Sequence, residues 1–369
     1  MLILGIETSC DETSVAFLEA NRSGFKVLSN IVSSQVKLHA KFGGVVPSLA
    51  ARKHSENIDK VFDLALKESK IAKKPDLIAV TKGPGLAPSL LVGVNFAKFL
   101  AWSLNVPLVG VNHLEGHIFS NWLKPIREIS NFQLPISKER IRFPAIVLIV
   151  SGGHTELVLM KSFGSGKAVS PRQSRDKYVL LGQTLDDAAG ECFDKVARLL
   201  NLGYPGGPII DKLAKDGSPQ AFTFPSPLIN SKDYNFSFSG LKTAILYFLR
   251  DNKFDFRRSK LSRKQEQLRK NICASFENAV VKVLVKKTLK AAQEFKTKSV
   301  LVGGGVAANS FLKQSFLENS DAIFPERDFI TDNAAMIACA GFFGFQKQKP
   351  DKNPWQNVFM EANLQLPYS

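Results

Sequence analysis

Cysteine is scarce in this chain of 369 residues: Cys10, Cys192, Cys273 and Cys339 are scattered, with no C-x-x-C pair among them. That spacing excludes a disulfide framework and a cysteine zinc site, and it suits a reducing compartment. Acidic residues are in deficit too, 33 Asp+Glu against 49 Lys+Arg, which leaves a net charge of +16. No stretch of about 18 uncharged apolar residues occurs, which argues against a membrane span. The opening Met1-Leu-Ile-Leu-Gly-Ile-Glu-Thr-Ser-Cys lacks a basic n-region, and Glu7 interrupts its apolar run, so a buried first strand is expected here and not a signal peptide. Neither G-x-x-x-x-G-K-[ST] nor G-x-G-x-x-G is found, which argues against a P-loop enzyme or a Rossmann dehydrogenase. What remains is an ordinary globular composition, 44% apolar and 22% charged, long enough for two domains. The expected location is cytoplasmic. The positive surplus points to a polyanion partner, with a lysine-rich solvated surface as the alternative reading.

The apolar pattern predicts strands at Leu2–Ile6, Val15–Leu18 and Phe25–Leu28, then a helix over Val46 to Ser69. Leu77–Thr81 and Leu108–Val111 read as buried strands, Ser89–Leu104 and His113–Trp122 as helices. A polar stretch, 124–142, follows as a linker or insertion. Ala145–Val150, a glycine turn and Thr155–Met160 then repeat the strand, polar turn, strand order of the N-terminus. Thr184–Leu200, Gln267–Phe295 and Ala307–Glu318 are predicted helices, and Ser299–Val302 a strand. A last helix, Asp332–Phe345, is opened by Thr331 or Asp332 as N-cap, and the polar tail from Gln346 is expected to be poorly ordered. Alternating strands and helices give an α/β class with two related domains, 1–123 and 143–331, with helix 332–345 packing back on the first.

His113-Leu-Glu-Gly-His117 places two histidines four residues apart, on one helix face and within reach of one metal ion. Exposed or capping histidines are the bland alternative. Glu115 sits off that face, so the general base of an H-E-x-x-H site is missing from its usual place. A third, oxygen ligand has to come from elsewhere, and Asp332 is a candidate. Three glycine-rich segments, at 151–154, 204–208 and 303–309, offer backbone N–H groups to a phosphate or ribose, though singly each is also a plain turn. Asp187, Glu191 and Asp194 are spaced to share a helix face, for ribose or metal contact or merely for solvent. Between Lys253 and Lys270, eight basic residues stand against two acidic ones, with Phe254 and Phe256 interleaved. Arg257, Arg258, Arg263 and Lys264 are the densest part and a candidate for RNA contact.

Together these residues resemble the TsaD family of tRNA threonylcarbamoyladenosine synthesis proteins. The resemblance is carried by Gly5-Ile-Glu-Thr-Ser-Cys-Asp-Glu-Thr-Ser14, Gly43-Gly-Val-Val-Pro47, Thr81-Lys-Gly-Pro-Gly-Leu86, Asn112-His-Leu-Glu-Gly-His117 and Val150-Ser-Gly-Gly-His-Thr155. It continues through Asp186-Asp-Ala-Ala-Gly-Glu191, Tyr204-Pro-Gly-Gly-Pro208, Asn235-Phe-Ser-Phe-Ser-Gly-Leu-Lys242 and Gly304-Gly-Val-Ala-Ala-Asn309, and so covers nearly the whole chain. It departs at Ser48, where the family commonly has an acidic residue, and at Cys192, where an alanine is usual. The resemblance implies the actin-like ATPase fold, two related α/β domains with a nucleotide in the cleft between them. It implies a metal-dependent acyltransferase that moves threonylcarbamoyl from threonylcarbamoyl-AMP to N6 of the adenosine just 3′ of the tRNA anticodon, releasing AMP.

Residue by residue, it implies one divalent metal ion, iron(II) favoured and zinc possible, on His113, His117 and Asp332. The implied substrate positions are Ile149, Val150, Ser151, Gly152, Gly153, Asp194, Gly207, Asp211 and Asn309. Asp194 and Asp211 are expected on ribose hydroxyls, and Asn309 on the nucleotide or acyl-phosphate. No residue is identified to take the amine proton. The implied partners are tRNA, a paralogous actin-like subunit (TsaB) and a small ATPase (TsaE). A metallopeptidase, the family's older label, would need a water-activating base that Glu115 is not placed to supply. A nucleotide-dependent scaffold without chemistry would need no metal ligands.

Overall fold

The computed structural model describes residues 1–21, 24–124, 141–161, 178–256, 261–345 and 354–368. Among these, one compact unit draws on Met1–Arg142 and Pro325–Ser369, and a second on Phe143–Ser162 and Tyr178–Phe324.

In the first unit, β1 (Leu2–Glu7), β2 (Glu12–Asn21) and β3 (Gly24–Ser34) form an antiparallel meander, with Leu2 opposite Glu19 and Glu7 opposite Ser14. A short helix α1 (Val36–His39) and the long α2 (Pro47–Ser69) lead to β4 (Leu77–Gly83), which pairs parallel to β1; α3 (Ala87–Leu104) then leads to β5 (Leu108–Asn112), parallel to β4. The sheet order is β3-β2-β1-β4-β5. Every residue of β1 is buried, as expected of a strand covered on both faces. On one face, Ile58, Val61 and Ala65 of α2 and Val94, Ala97 and Ala101 of α3 close over Leu4, Ile6, Ile78 and Val80. On the other lies α10 (Ala334–Phe345), and there Gly5 is required because a Cβ would strike the Ala334 carbonyl oxygen. Among the described residues α3 alone is long and apolar enough to cross a membrane, but its Leu90, Val94, Ala97 and Ala101 are buried inside the unit.

The second unit repeats the plan. β6 (Ala145–Val150), β7 (Thr155–Met160) and β8 (Tyr178–Gln183) form a meander, and β9 (Ser299–Gly303) joins β6 in parallel, giving β8-β7-β6-β9. Where the first sheet has β5, the second has only a parallel bridge between Leu301 and Ile323. The helices are α4 (His113–Phe119) in the first unit, and α5 (Ala189–Leu199), α6 (Gly206–Ala214), α7 (Ser239–Asp251), α8 (Arg263–Glu294) and α9 (Ser310–Leu317) in the second. Ile272, Phe276, Val280 and Leu284 put a buried stripe on α8 at helical spacing. Its first turn is closed by a capping box between Ser262 and Gln265.

Three expectations are corrected. The helix predicted from Thr184 begins only at Ala189, because the Thr184 hydroxyl donates to the Asp187 carbonyl (2.7 Å) and Asp186 accepts from the Phe238 and Ser239 amides (2.8 and 3.2 Å), which fixes a turn. The helix predicted over Ala307–Glu318 splits into a 3-10 turn, Gly305–Ala308, and α9. The end of the tail packs on the first unit: Val358 and Leu366 are buried, and the Gly85 amide donates to the Ala362 carbonyl (3.1 Å). Strand β8 and helices α6 and α7 were not foreseen. Most of the 124–142 insertion lies outside the described residues.

Candidate functional site

In the first unit, the Asn112 side chain at the end of β5 accepts from the Leu114 amide (2.8 Å) and starts α4, which carries His113 and His117 on one side. Their rings lie edge to face, 4.7 Å between centroids. Asp332 comes from the turn before α10. Asn333, not the expected Thr331 or Asp332, caps that helix, its Oδ1 accepting from the Met336 amide at 3.0 Å. The Asp332 carboxylate is thereby left to face the histidines. Its Oδ1 lies 3.2 Å from His117 Nε2 and 3.5 Å from His113 Nε2, and one ligand atom from each residue falls within 4.8 Å of the others.

His117 is fully buried, yet neither of its ring nitrogens makes a hydrogen bond; the contact to Asp332 is near enough but wrongly angled. A buried polar group in that condition costs roughly 1–3 kcal/mol. Two imidazoles and a carboxylate converging on one point fit a first-row divalent metal ion, which would occupy those lone pairs. Behind them stands Glu7, fully buried at the end of β1, whose Oε2 accepts from Thr81 Oγ1 (2.6 Å) and meets His113 Nδ1 (2.9 Å). A carboxylate at the far nitrogen of a ligating histidine fixes its tautomer and orientation. Burial opposes charge on His113, but Asp332 and Glu7 raise its imidazole to about 9. Burial likewise works to raise Glu7, yet His113 and Thr81 hold it below its ordinary value. Burial, Asp332 and Asp11 push Glu12 well above the carboxylate range. Sequence reasoning missed Glu7 as a site residue, although a charged residue inside an apolar strand was the available signal.

In the second unit, Ile149 and Val150 end β6, and Ser151-Gly-Gly-His154 forms the turn to β7, closed by the Ser151 amide donating to the His154 carbonyl (2.8 Å). Gly152 and Gly153 are exposed, and nothing lies near where a Cβ would be. Gly304, at φ +96°, is needed on two counts, since a Cβ there would also meet the Val150 carbonyl oxygen. Asp194 Oδ1 accepts from the Gly206 amide (2.6 Å) at the start of α6, and Gly207 beside it is open. Asp211 Oδ1 accepts from the Ser310 amide and hydroxyl (2.8 and 2.7 Å). Asn309 caps α9, its Oδ1 accepting from the Leu312 amide (2.8 Å), while its Nδ2 donates to Glu277 Oε1 (2.5 Å). Asp194, Gly206, Asp211, Ser310 and Asn309 are thus linked through α6 and the start of α9.

The acidic face expected from Asp187, Glu191 and Asp194 does not form. Asp187 precedes the helix and, with Glu191, pairs with Lys195 (2.6 and 2.9 Å), whereas Asp194 turns to α6. Cys192 is buried against the Phe238 carbonyl, and burial pushes its thiol up to about 12, which makes it a packing residue. In the basic stretch, Arg257 and Arg258 lie outside the described residues, while Arg263 and Lys264 are exposed on the first turn of α8. A helix N-terminus disfavours cations, so helix stability does not explain them. Phe256 is buried and Phe254 packs on Phe248 (5.8 Å), so the interleaved rings belong to the core and not to a ligand surface.

Two sheets of matching topology, with a His/His/Asp cluster in the first unit, define a protein of actin-like ATPase fold with a candidate metal site. The fold is shared with full-length HypF in a phosphate- and nucleotide-bound form (TM-score 0.54, 12% identity, 94% of this chain and 46% of that one). It is also shared with component A of the (R)-2-hydroxyglutaryl-CoA dehydratase of Acidaminococcus fermentans (TM-score 0.50, 12% identity, 93% and 97%). The family model for TsaD, tRNA N6-adenosine threonylcarbamoyltransferase, matches residues 26–339. The tRNA N6-adenosine threonylcarbamoyltransferases of Thermosipho africanus and Carboxydothermus hydrogenoformans are 49% and 46% identical to this chain, each over 94% of it and over 95% and 93% of their own lengths. The chain belongs to the TsaD family.

Proposed function

We propose that His113, His117 and Asp332 hold a divalent metal ion that serves a threonylcarbamoyl transfer, and that the glycine turns and acidic residues of the second unit bind the adenylate. The family's reaction is tRNA N6-adenosine threonylcarbamoyl transfer. The exocyclic amine of the adenosine just 3′ of the anticodon attacks the carbamoyl carbon of threonylcarbamoyl-AMP. The bond from that carbon to the phosphate oxygen breaks, the amine loses a proton, and AMP leaves. A bound metal supplies Lewis-acid stabilisation to oxygen atoms that gain negative charge.

The observation that carries the site is His117: fully buried, unsatisfied at both nitrogens, and 3.2 Å from a carboxylate. Glu7 holds His113 so that Nε2 faces Asp332. The exposed backbone of Gly152 and Gly153 is suited to a phosphate, and Asp194, Gly207, Asp211 and Asn309 to the nucleoside. The amine is a weak nucleophile, so positioning carries much of the acceleration. Iron(II) is favoured, with zinc as the alternative; the donor set suits both. Arg263 and Lys264, with Arg257 and Arg258, are the proposed tRNA contacts, TsaB and TsaE are the proposed protein partners, and the location is cytoplasmic.

The test incubates the purified protein and those partners with tRNA, threonylcarbamoyl-AMP and ATP, followed by nucleoside mass spectrometry. Threonylcarbamoyladenosine should form and depend on this chain. Its absence with all components active would contradict the assignment.

A further inference from the structure

Residues 358–366 return to the first unit, and no role so far uses them. Val358 and Leu366 are buried and Met360, Ala362 and Leu364 half-buried, while the residues between them are exposed. One edge of the segment therefore lies on the unit, and its main chain is tied there. The Glu361 amide donates to the Lys82 carbonyl (2.7 Å), and Lys82 Nζ donates back to Glu361 Oε1 (2.6 Å). The Gly85 amide donates to the Ala362 carbonyl (3.1 Å), and Asn112 Nδ2 to the Gln365 carbonyl (3.0 Å). A Cβ on Gly83 would strike the Glu361 carbonyl oxygen, so the loop after β4 is shaped to receive this segment.

Two routes lead from these bonds to His113. In the first, the Gln365 carbonyl takes the Asn112 NH₂, which fixes the way that amide points. Asn112 Oδ1 is then left for the Leu114 amide (2.8 Å), the bond that starts α4 and places His113 and His117. In the second, Gly85 is held between Ala362 and Ser9, and the next amide, Leu86, donates to the Ser9 carbonyl (2.7 Å). The Ser9 hydroxyl lies 3.2 Å from His113 Nδ1, and the Ser9 amide donates to Glu7 Oε1 (2.5 Å). Both routes thus end on the ring whose other nitrogen faces Asp332.

We propose that residues 358–366 are a strap that positions the metal ligands, so that docking of the strap and binding of the ion strengthen each other. The proposal rests on the reading of His113, His117 and Asp332 as a metal site. Asn112 and Gln365 are positioning residues, since neither belongs to the ligand set. An ion that binds best when α4 and the Gly85 loop are held must, by linkage, tighten the strap that holds them.

Zinc, which has no redox chemistry, is the probe. Competition with a chromophoric chelator reads its affinity for the full chain, and amide exchange reads the strap with and without it. In wild type, zinc should slow exchange at the Glu361 and Leu364 amides. Asn112→Ser keeps an oxygen able to cap α4 but is too short to reach the Gln365 carbonyl. Leu366→Ala removes the buried anchor of the strap and leaves α4 untouched, so it carries the test if Asn112→Ser does not fold. Each should weaken zinc binding about fivefold or more and lose the zinc-dependent slowing. Phe359→Ala, which changes an exposed side chain of the same segment, should bind zinc as wild type does. If His117→Ala binds zinc as tightly as wild type, the metal reading fails and the strap falls with it. Suppose instead that His117→Ala loses zinc. Wild-type affinity in both strap variants, strap exchange indifferent to zinc, or an equal loss in Phe359→Ala would then overturn the strap and leave the metal site standing.

Discussion

Replacing Glu277 by glutamine should alter how the stability of the second unit responds to pH. The carboxyl is 4% exposed, and burial, helped by Asp211 and opposed by Asn309 and Lys215, raises it from 4.5 to about 7. Because the folded value lies above the unfolded one, the fold binds this proton more tightly. Its contribution to stability is full below the unfolded value and is lost as pH climbs through the folded one. A rise of that size corresponds to roughly 3 kcal/mol, most of it given up between about pH 5 and about pH 8. Glutamine keeps the volume and the bond from Asn309 but cannot titrate. The stability of the variant minus that of wild type should therefore increase by roughly 2–3 kcal/mol over the same interval. Amide hydrogen exchange along α8, which carries the residue, reads the second unit. Trp102, Trp122 and Trp355 all lie in the first unit, so their fluorescence during urea unfolding is an internal control. Parallel pH profiles for the two proteins along α8 would refute the reasoning.

Asp211→Ala removes the acceptor that holds Ser310, and with it a charged partner for a ribose. AMP affinity should fall about tenfold or more by calorimetry, and an unchanged affinity would contradict that role. Changing Arg257, Arg258, Arg263 and Lys264 to alanine should weaken tRNA binding and flatten its log–log salt dependence by about one unit for each phosphate left without its cation, with AMP binding unaffected. An unaltered slope in a filter-binding titration would place the tRNA-binding surface on another face. Ser262→Ala breaks the capping box of α8 and should cost about 1 kcal/mol, read as increased exchange in its first turn. Unchanged exchange there would show that Gln265 alone suffices.

Much of this was legible because the signals were local. A short apolar run such as Ala145–Val150, rich in Val and Ile and bounded by Pro144 and a glycine turn, reads as a buried strand, and its bounds agree with those read from the sequence. The His113/His117 pair was legible as a candidate metal site because helical geometry brings residues four apart together. Asp332 needed either the family resemblance or the fold, since it arrives from the far end of the chain. Long-range bonds account for the misses. The turn at Thr184–Ala188 is set by Ser237, Phe238 and Ser239, half a hundred residues on, so helix propensity near Asp187 was overruled. Glu277 sits on α8 among buried apolar neighbours, and only its meeting with Asn309, 32 residues away, gives it a polar role. Phe254 and Phe256 looked like part of an RNA surface because composition cannot say which way a ring points.

The most direct test of the metal centre pairs metal analysis with product formation in wild type and in His117→Ala. His117 offers the buried, unpartnered nitrogens, so the variant should lose stoichiometric metal, form little or no threonylcarbamoyladenosine, and keep the tryptophan fluorescence of a folded first unit. Full metal occupancy in the variant, or wild-type yields of the modified nucleoside without metal, would contradict the assignment of His113, His117 and Asp332.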